Sequence, residues 1–207
     1  MRTSIRFAAL ALVSVMHVPA ARAQAPAPDR DWSRGTLISG FAGVGVDGSR
    51  RGPIFGGTIG WDATPRLSVD GSGTWADYGS GFDGFGASVK ARANVAWWGR
   101  AVPYVQGGVG LYRASFDRDA PRVPGFYGRR MEGQGARSRT FTDPSIVFGG
   151  GFNLSISRTV RLRPDVEIAV VLRDSRRHVV PNYKLHLVYV FEDHPVTPSR
   201  TGRAGRR

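Results

Sequence analysis

Past its first thirty residues the chain holds three histidines, His178, His186 and His194, and no cysteine. Nucleophilic catalysis needs a nucleophile, a base and an orienting acid within hydrogen-bond reach, and no nucleophile motif stands beside any of the three. The spacing of the other ionisable groups points to different chemistry. Lys90 and Arg92, Arg161 and Arg163, Asp165 and Glu167, and Lys184 and His186 are each two residues apart, which puts each pair on one side of an extended strand. With Asp70 they form a set suited to charge pairing. A second set is rich in arginine: Arg118, Arg122, Arg129, Arg130, Arg137 and Arg139, joined later by Arg176 and Arg177. Guanidinium pairs phosphate bidentately, so these are candidate phosphate contacts. No group has metal-ligand spacing, no glycine loop opens a helix for a phosphate, and no helix suits a DNA groove. Neither a cofactor nor a metal nor nucleic acid is therefore expected, despite a net charge of +13.

Alternation of period two positions these charges. Between Phe85 and Trp98, the apolar Phe85, Val89, Val95 and Trp97 alternate with Ser88, Lys90, Arg92 and Asn94. Between Val160 and Leu172, Val160, Leu162, Val166 and Ile168 oppose Arg161, Arg163, Asp165 and Glu167. From Asn182 to Phe191, Tyr183, Leu185, Leu187, Tyr189 and Phe191 oppose Lys184 and His186. The same test predicts strands at Thr36 to Val46, Ile54 to Asp62, Leu67 to Tyr78, Val102 to Arg113 and Pro144 to Ile156, eight in all. Each suits a tilted membrane crossing, which takes about 9–11 residues. The 28 glycines are spread through these segments; each would cost a helix interior about 1 kcal/mol. Glycines also blur the first and fifth strands, so their facing stays open.

The connections alternate in length. Asp47 to Pro53, Gly79 to Gly84, Ala114 to Asp143 and Arg173 to Val179 are long; Ala63 to Arg66, Gly99 to Ala101 and Ser157 to Thr159 are tight. Long outside loops and short periplasmic turns are the habit of outer-membrane barrels. In hydrocarbon every backbone donor and acceptor needs an internal partner, which a sheet achieves only by closing. The predicted fold is all-β: an eight-stranded antiparallel up-and-down transmembrane β-barrel over residues 32–191. Eight strands leave a lumen only wide enough for side chains. There Asp70 faces Lys90 and Arg92, and Asp165 or Glu167 faces Lys184 or His186, in a charge network with Arg161 and Arg163 that plugs the barrel. Pro164 offers no ladder donor and is expected near the periplasmic rim or at a bulge. Alternation alone leaves open the opposite facing, a soluble ligand-binding barrel of lipocalin type.

The N-terminus reads as a secretory signal over residues 1–23: Arg2 and Arg6, an apolar run from Phe7 to Val18, and Ala21-Arg22-Ala23. It is too short and interrupted for a spanning helix, which needs about 20 residues. Residues 24–31 read as a flexible Pro/Ala-rich leader, and 192–207 as a basic disordered tail.

In these features the chain resembles the small eight-stranded outer-membrane β-barrel domain family, the superfamily of the OmpA barrel and the OmpX-like proteins. The resemblance spans Trp32 to Phe191. It rests on Val102-Pro103-Tyr104-Val105-Gln106-Gly107-Gly108-Val109-Gly110, on Phe148-Gly149-Gly150-Gly151-Phe152 and on Leu162-Arg163-Pro164-Asp165-Val166-Glu167. The aromatic-ended strand carrying Tyr183, Leu185, Leu187, Tyr189 and Phe191 resembles the signal that the barrel-assembly machinery recognises. The resemblance implies a monomer in the outer membrane of a Gram-negative-type bacterium. The expected function is non-enzymatic, structural or adhesive, with the basic outside loops contacting lipopolysaccharide phosphates. The alternatives are a barrel enzyme that modifies lipid A or cleaves surface substrates, and a narrow passive pore.

Overall fold

The computed structural model describes residues 35–117, 125–128, 140–173 and 176–191. The signal, the leader and the tail lie outside the described residues. Eight strands follow one another: β1 (Thr36–Asp47), β2 (Arg50–Asp62), β3 (Leu67–Asp77), β4 (Phe82–Asn94), β5 (Ala101–Phe116), β6 (Thr140–Ser155), β7 (Val160–Arg173) and β8 (Arg176–Val190). Each pairs antiparallel with the next, and β1 pairs with β8 from Leu37↔Val190 to Gly45↔Asn182, so the sheet closes into a barrel. Closure leaves no strand edge unpaired, as a sheet in hydrocarbon requires.

Alternation decides which side chains go where. On β4 Lys90 and Arg92 point into the lumen while Phe85 and Val89 point out; on β8 Lys184 and His186 point in while Tyr183, Leu185, Leu187 and Tyr189 point out. The two strands blurred by glycine also resolve. On β1 the lumen receives Leu37, Ser39, Phe41 and Asp47, and on β5 Tyr104, Gln106, Tyr112, Ala114 and Phe116. The large exposed hydrophobic side chains thus lie outside and the buried charges inside, the reverse of a soluble barrel.

Two features differ from the sequence reading. The rhythm of connection lengths does not survive: β1 and β2 are joined by Gly48-Ser49 alone, and β7 and β8 by two residues. Strands of up to 16 residues exceed the roughly 9–11 that cross hydrocarbon, and the surplus continues as paired ribbon into what the sequence presents as loop. Gly48, at φ 63°, supplies the left-handed residue the tight turn needs. Only the β5–β6 connection is long. Second, the fourth strand starts earlier and ends earlier than Phe85 to Trp98, because Trp98 turns back on Ala101 in its own bridge.

Pro164 sits in β7 near the end of the barrel where β1 begins and β8 ends. The β6–β7 ladder runs to Gly151↔Asp165 and resumes only at Leu154↔Leu162, a gap that matches the donor proline lacks.

Candidate functional site

The lumen is filled in layers. At the terminal end Leu37, Val188 and Val190 form an apolar floor. Above it Asp62 accepts a hydrogen bond from Ser68 Oγ at 2.5 Å and lies 3.3 Å from Arg92 Nη2 and 3.6 Å from Arg161 Nη1. Arg92 Nη1 donates to Asp70 Oδ2 at 2.7 Å, and Arg163 Nη1 lies 3.7 Å from the same oxygen. Arg163 Nε donates to Asn153 Oδ1 at 2.8 Å. The Tyr104 ring has both guanidinium groups nearby, their carbons 5.6 and 5.8 Å from its centre, and its hydroxyl donates to Asp165 Oδ2 at 3.1 Å. Gln106 donates to the same oxygen at 3.3 Å. Last, Lys90 and Lys184 each hold one oxygen of Glu167.

Of the nine charges singled out in the sequence, all enter this assembly, and every one but the partly buried Arg161 is 6% exposed or less. The partners are less legible. Register sets Asp70 directly opposite Lys90, yet Lys90 reaches from β4 to Glu167 on β7, and Asp70 takes the diagonal Arg92. Asp62, Asn153, Tyr104 and Gln106 were missed. Alternation in β2, with Phe55, Ile59 and Trp61 outward, would have put Asp62 inside.

Ser39 Oγ lies 3.3 Å from His186 Nδ1, whose Nε2 is 3.4 Å from Asp165 Oδ2. The residue types are those of a hydrolytic triad. Both contacts are long, however, His186 Nε2 completes no hydrogen bond among the described residues, and Ser39 is 4% exposed. His186 is 2% exposed, so both members lie closed off from bulk solvent.

At the opposite end, a helical turn over 125–128 in the long β5–β6 connection folds into the barrel mouth. Tyr127 is wholly buried against Phe116, Phe141 and Phe82, with ring centres 5.2, 5.6 and 6.4 Å away. Phe126 stacks on His178 at 4.9 Å, and His178 Nε2 meets Asp47 Oδ1 at 2.5 Å. Tyr112 donates to the other Asp47 oxygen at 3.0 Å. Burial, reinforced by Asp47 and Asp143, drives the Tyr127 phenol far above its usual range, so it stays a neutral donor; its hydroxyl has no hydrogen-bond partner among the described residues. The sequence reading places no cap here. The signal for it is Phe126-Tyr127, the two aromatics of an arginine-rich loop. Between cap and Glu167 lies a cavity of about 30 Å³, reached by Ser88, Tyr112, Ser145 and Asn182, room for one or two waters.

Outside, Trp61, Trp98, Phe152, Tyr189 and Phe191 gather toward the terminal end and Phe55, Trp75 and Phe85 toward the loop end, all exposed. Tyr183, Leu185, Leu187 and Tyr189 make the outer face of β8, and Phe191 follows it, donating its N–H to Thr36 O at 2.8 Å. Of the candidate phosphate contacts, Arg177 is exposed at the loop end of β8 and Arg176 begins that strand. Arg118, Arg122, Arg129, Arg130, Arg137 and Arg139 lie outside the described residues.

Among solved structures the fold is similar to that of Neisserial surface protein A, with a TM-score of 0.58 and 12% identity over 76% of this chain and 97% of that one. It is also similar to the N-terminal β-barrel domain of Pseudomonas aeruginosa OprF, with a TM-score of 0.53 and 13% identity over 76% of this chain and 98% of that one. No protein-family model and no curated protein sequence matches the chain. At these identities the likeness is one of fold.

Proposed function

We propose that this chain is a non-enzymatic barrel of a Gram-negative-type outer membrane, delivered by its N-terminal signal. It braces the envelope and offers a basic outer surface to lipopolysaccharide phosphates. One observation carries the reading: the exposed large hydrophobics face outward from a closed barrel whose buried charges are paired inside. Exposing Ile59, Val89, Val109 and Leu187 is costly in water and not in lipid, while the buried charges need partners in either surrounding. The outer face of β8 with Phe191 supports handling by the barrel-assembly machinery, and the closed sheet supports a monomer. Arg177, exposed at the loop end of β8, provides guanidinium for an outer-leaflet phosphate.

Cell fractionation and gel mobility with and without boiling test the location. The chain is expected in the outer-membrane fraction and to migrate differently when boiled; a soluble periplasmic chain of unchanged mobility would overturn the reading. For the surface role, replacing Arg118, Arg122, Arg129, Arg130, Arg137, Arg139, Arg176 and Arg177 with serine is expected to weaken binding to purified lipopolysaccharide. Unchanged binding removes that part of the proposal.

A further inference from the structure

Among the described residues, Arg113 is the one charge in its outward row. Register sets Phe55, Trp75, Phe85 and Arg113 side by side across β2 to β5, followed by Thr142 on β6, and Phe55 and Trp75 touch ring to ring at 4.7 Å. The next row toward the loop end carries Asp77, Asp83 and Ser115. Trp75, Asp83, Phe85, Arg113 and Ser115, with the backbone of Gly84, border an outward cleft of about 390 Å³. Clefts of roughly 300–1,000 Å³ accept small ligands. This one has aromatic walls and one charge of each sign.

The two charges do not satisfy each other. Asp83 and Arg113 are diagonal cross-strand neighbours, a relation that leaves about 7–8 Å between positions, and neither makes an ion pair among the described residues. Asp77 stands directly opposite Asp83 on the neighbouring strand, so this side of the cleft favours a cation. A simple phosphate on Arg113 would face the carboxylate of Asp83 with no cation between them. A simple amine on Asp83 would leave the guanidinium unpaired. A headgroup carrying phosphate and ammonium on adjacent carbons' substituents satisfies both, and its acyl chains can descend over Trp75 and Phe85 toward Val89 and Leu111, which also face outward.

We propose that this cleft binds the phosphoethanolamine headgroup of an outer-leaflet lipid, its phosphate on Arg113 and its ammonium on Asp83. The inference rests on the reading of the chain as a membrane-embedded barrel, and it places a lipid site on the barrel wall, apart from the loop arginines.

Native mass spectrometry of the full chain, refolded in detergent and offered phosphatidylethanolamine or phosphatidylglycerol with identical acyl chains, tests it. The wild type is expected to retain the ethanolamine lipid about fivefold better, the scale of one partly exposed charge pair. Arg113→Gln should lower retention of both lipids. Asp83→Asn should abolish the preference without weakening phosphatidylglycerol. Arg51→Gln, an exposed arginine on β2 outside the cleft, should change nothing. Equal retention of the two lipids by the wild type, or unchanged retention by Arg113→Gln, overturns the site. Insertion into vesicles of the two lipids, scored by mobility with and without boiling, separates the two readings: failure to insert overturns both, and insertion without lipid preference overturns the headgroup site alone.

Discussion

Glu167 is the acid on which two buried lysines depend. Lys90 arrives from β4 and Lys184 from the neighbouring β8, and each takes one carboxylate oxygen. Glu167→Gln removes the charge but keeps the shape, leaving two buried ammonium groups uncompensated. The expected loss is about 3–5 kcal/mol, the range for breaking a buried pair, read as a lower urea midpoint at unchanged slope in lipid vesicles. Replacing the triad together by Lys90→Met, Glu167→Leu and Lys184→Met should recover most of it, since well-packed apolar groups often replace buried ions without loss. Tyr127 provides the opposite case. Its buried hydroxyl has no hydrogen-bond partner among the described residues, so Tyr127→Phe should leave stability unchanged or raise it by about 1 kcal/mol, whereas Tyr127→Ala should cost about 3–5 kcal/mol through the cavity it opens. A large loss in Tyr127→Phe would mean that the phenol has an acceptor. At this scale the sequence showed which charges share one face, because spacing by two on an extended strand settles it; that this face is the inner one is seen only in the closed barrel. Nor did the sequence show who pairs with whom. Lys90 chooses Glu167 across the lumen over the adjacent Asp70, and that choice depends on barrel width and stagger, which no local pattern encodes.

The strands themselves were legible from alternation except where glycine replaced the side chains that reveal it. Several lumen-facing glycines, Gly56, Gly108, Gly110, Gly149 and Gly151, stand where a neighbouring strand comes too close for anything larger. A Cβ on Gly108 would lie 2.0 Å from Val89 O and 2.7 Å from Lys90 Cα, whereas one on the outward Gly73 would meet nothing within 4 Å. Both residues look alike in sequence. Gly108→Ala is therefore expected to force β4 and β5 apart and to reduce the fraction of chain that folds to the boiling-sensitive form, while Gly73→Ala should fold like the wild type. Equal yields from the two variants would show that the barrel absorbs the clash by relaxing. The same crowding explains why the facing of β1 and β5 stayed open until the fold was seen. Strand ends were misplaced for another reason. Arg50-Arg51-Gly52 and Arg176-Arg177-His178 look like loop because they are polar, but above the hydrocarbon a strand needs only paired backbone, and Gly48 lets β1 and β2 stay paired to their last residues.

Across the whole molecule the lumen carries several independent obstructions. Arg92, Asp70 and Arg163 fill one level, Lys90, Glu167 and Lys184 the next, and the cap of Phe126 and Tyr127 closes the mouth over a cavity of about 30 Å³. An ion passing through would have to displace paired charges at two levels and then part an aromatic stack, and the cavity between Glu167 and the cap has room for one or two waters to hydrate it. Each step carries its own desolvation cost. The wild type is therefore expected to give no steady conductance in planar bilayers. Because the obstructions are separate, Glu167→Gln and Tyr127→Ala should each stay closed as well, even where they lower stability. A steady current through Tyr127→Ala would show that the charged levels do not seal alone, and one through Glu167→Gln would show that the cap does not. Either result would move the protein from a filled brace toward a gated pore.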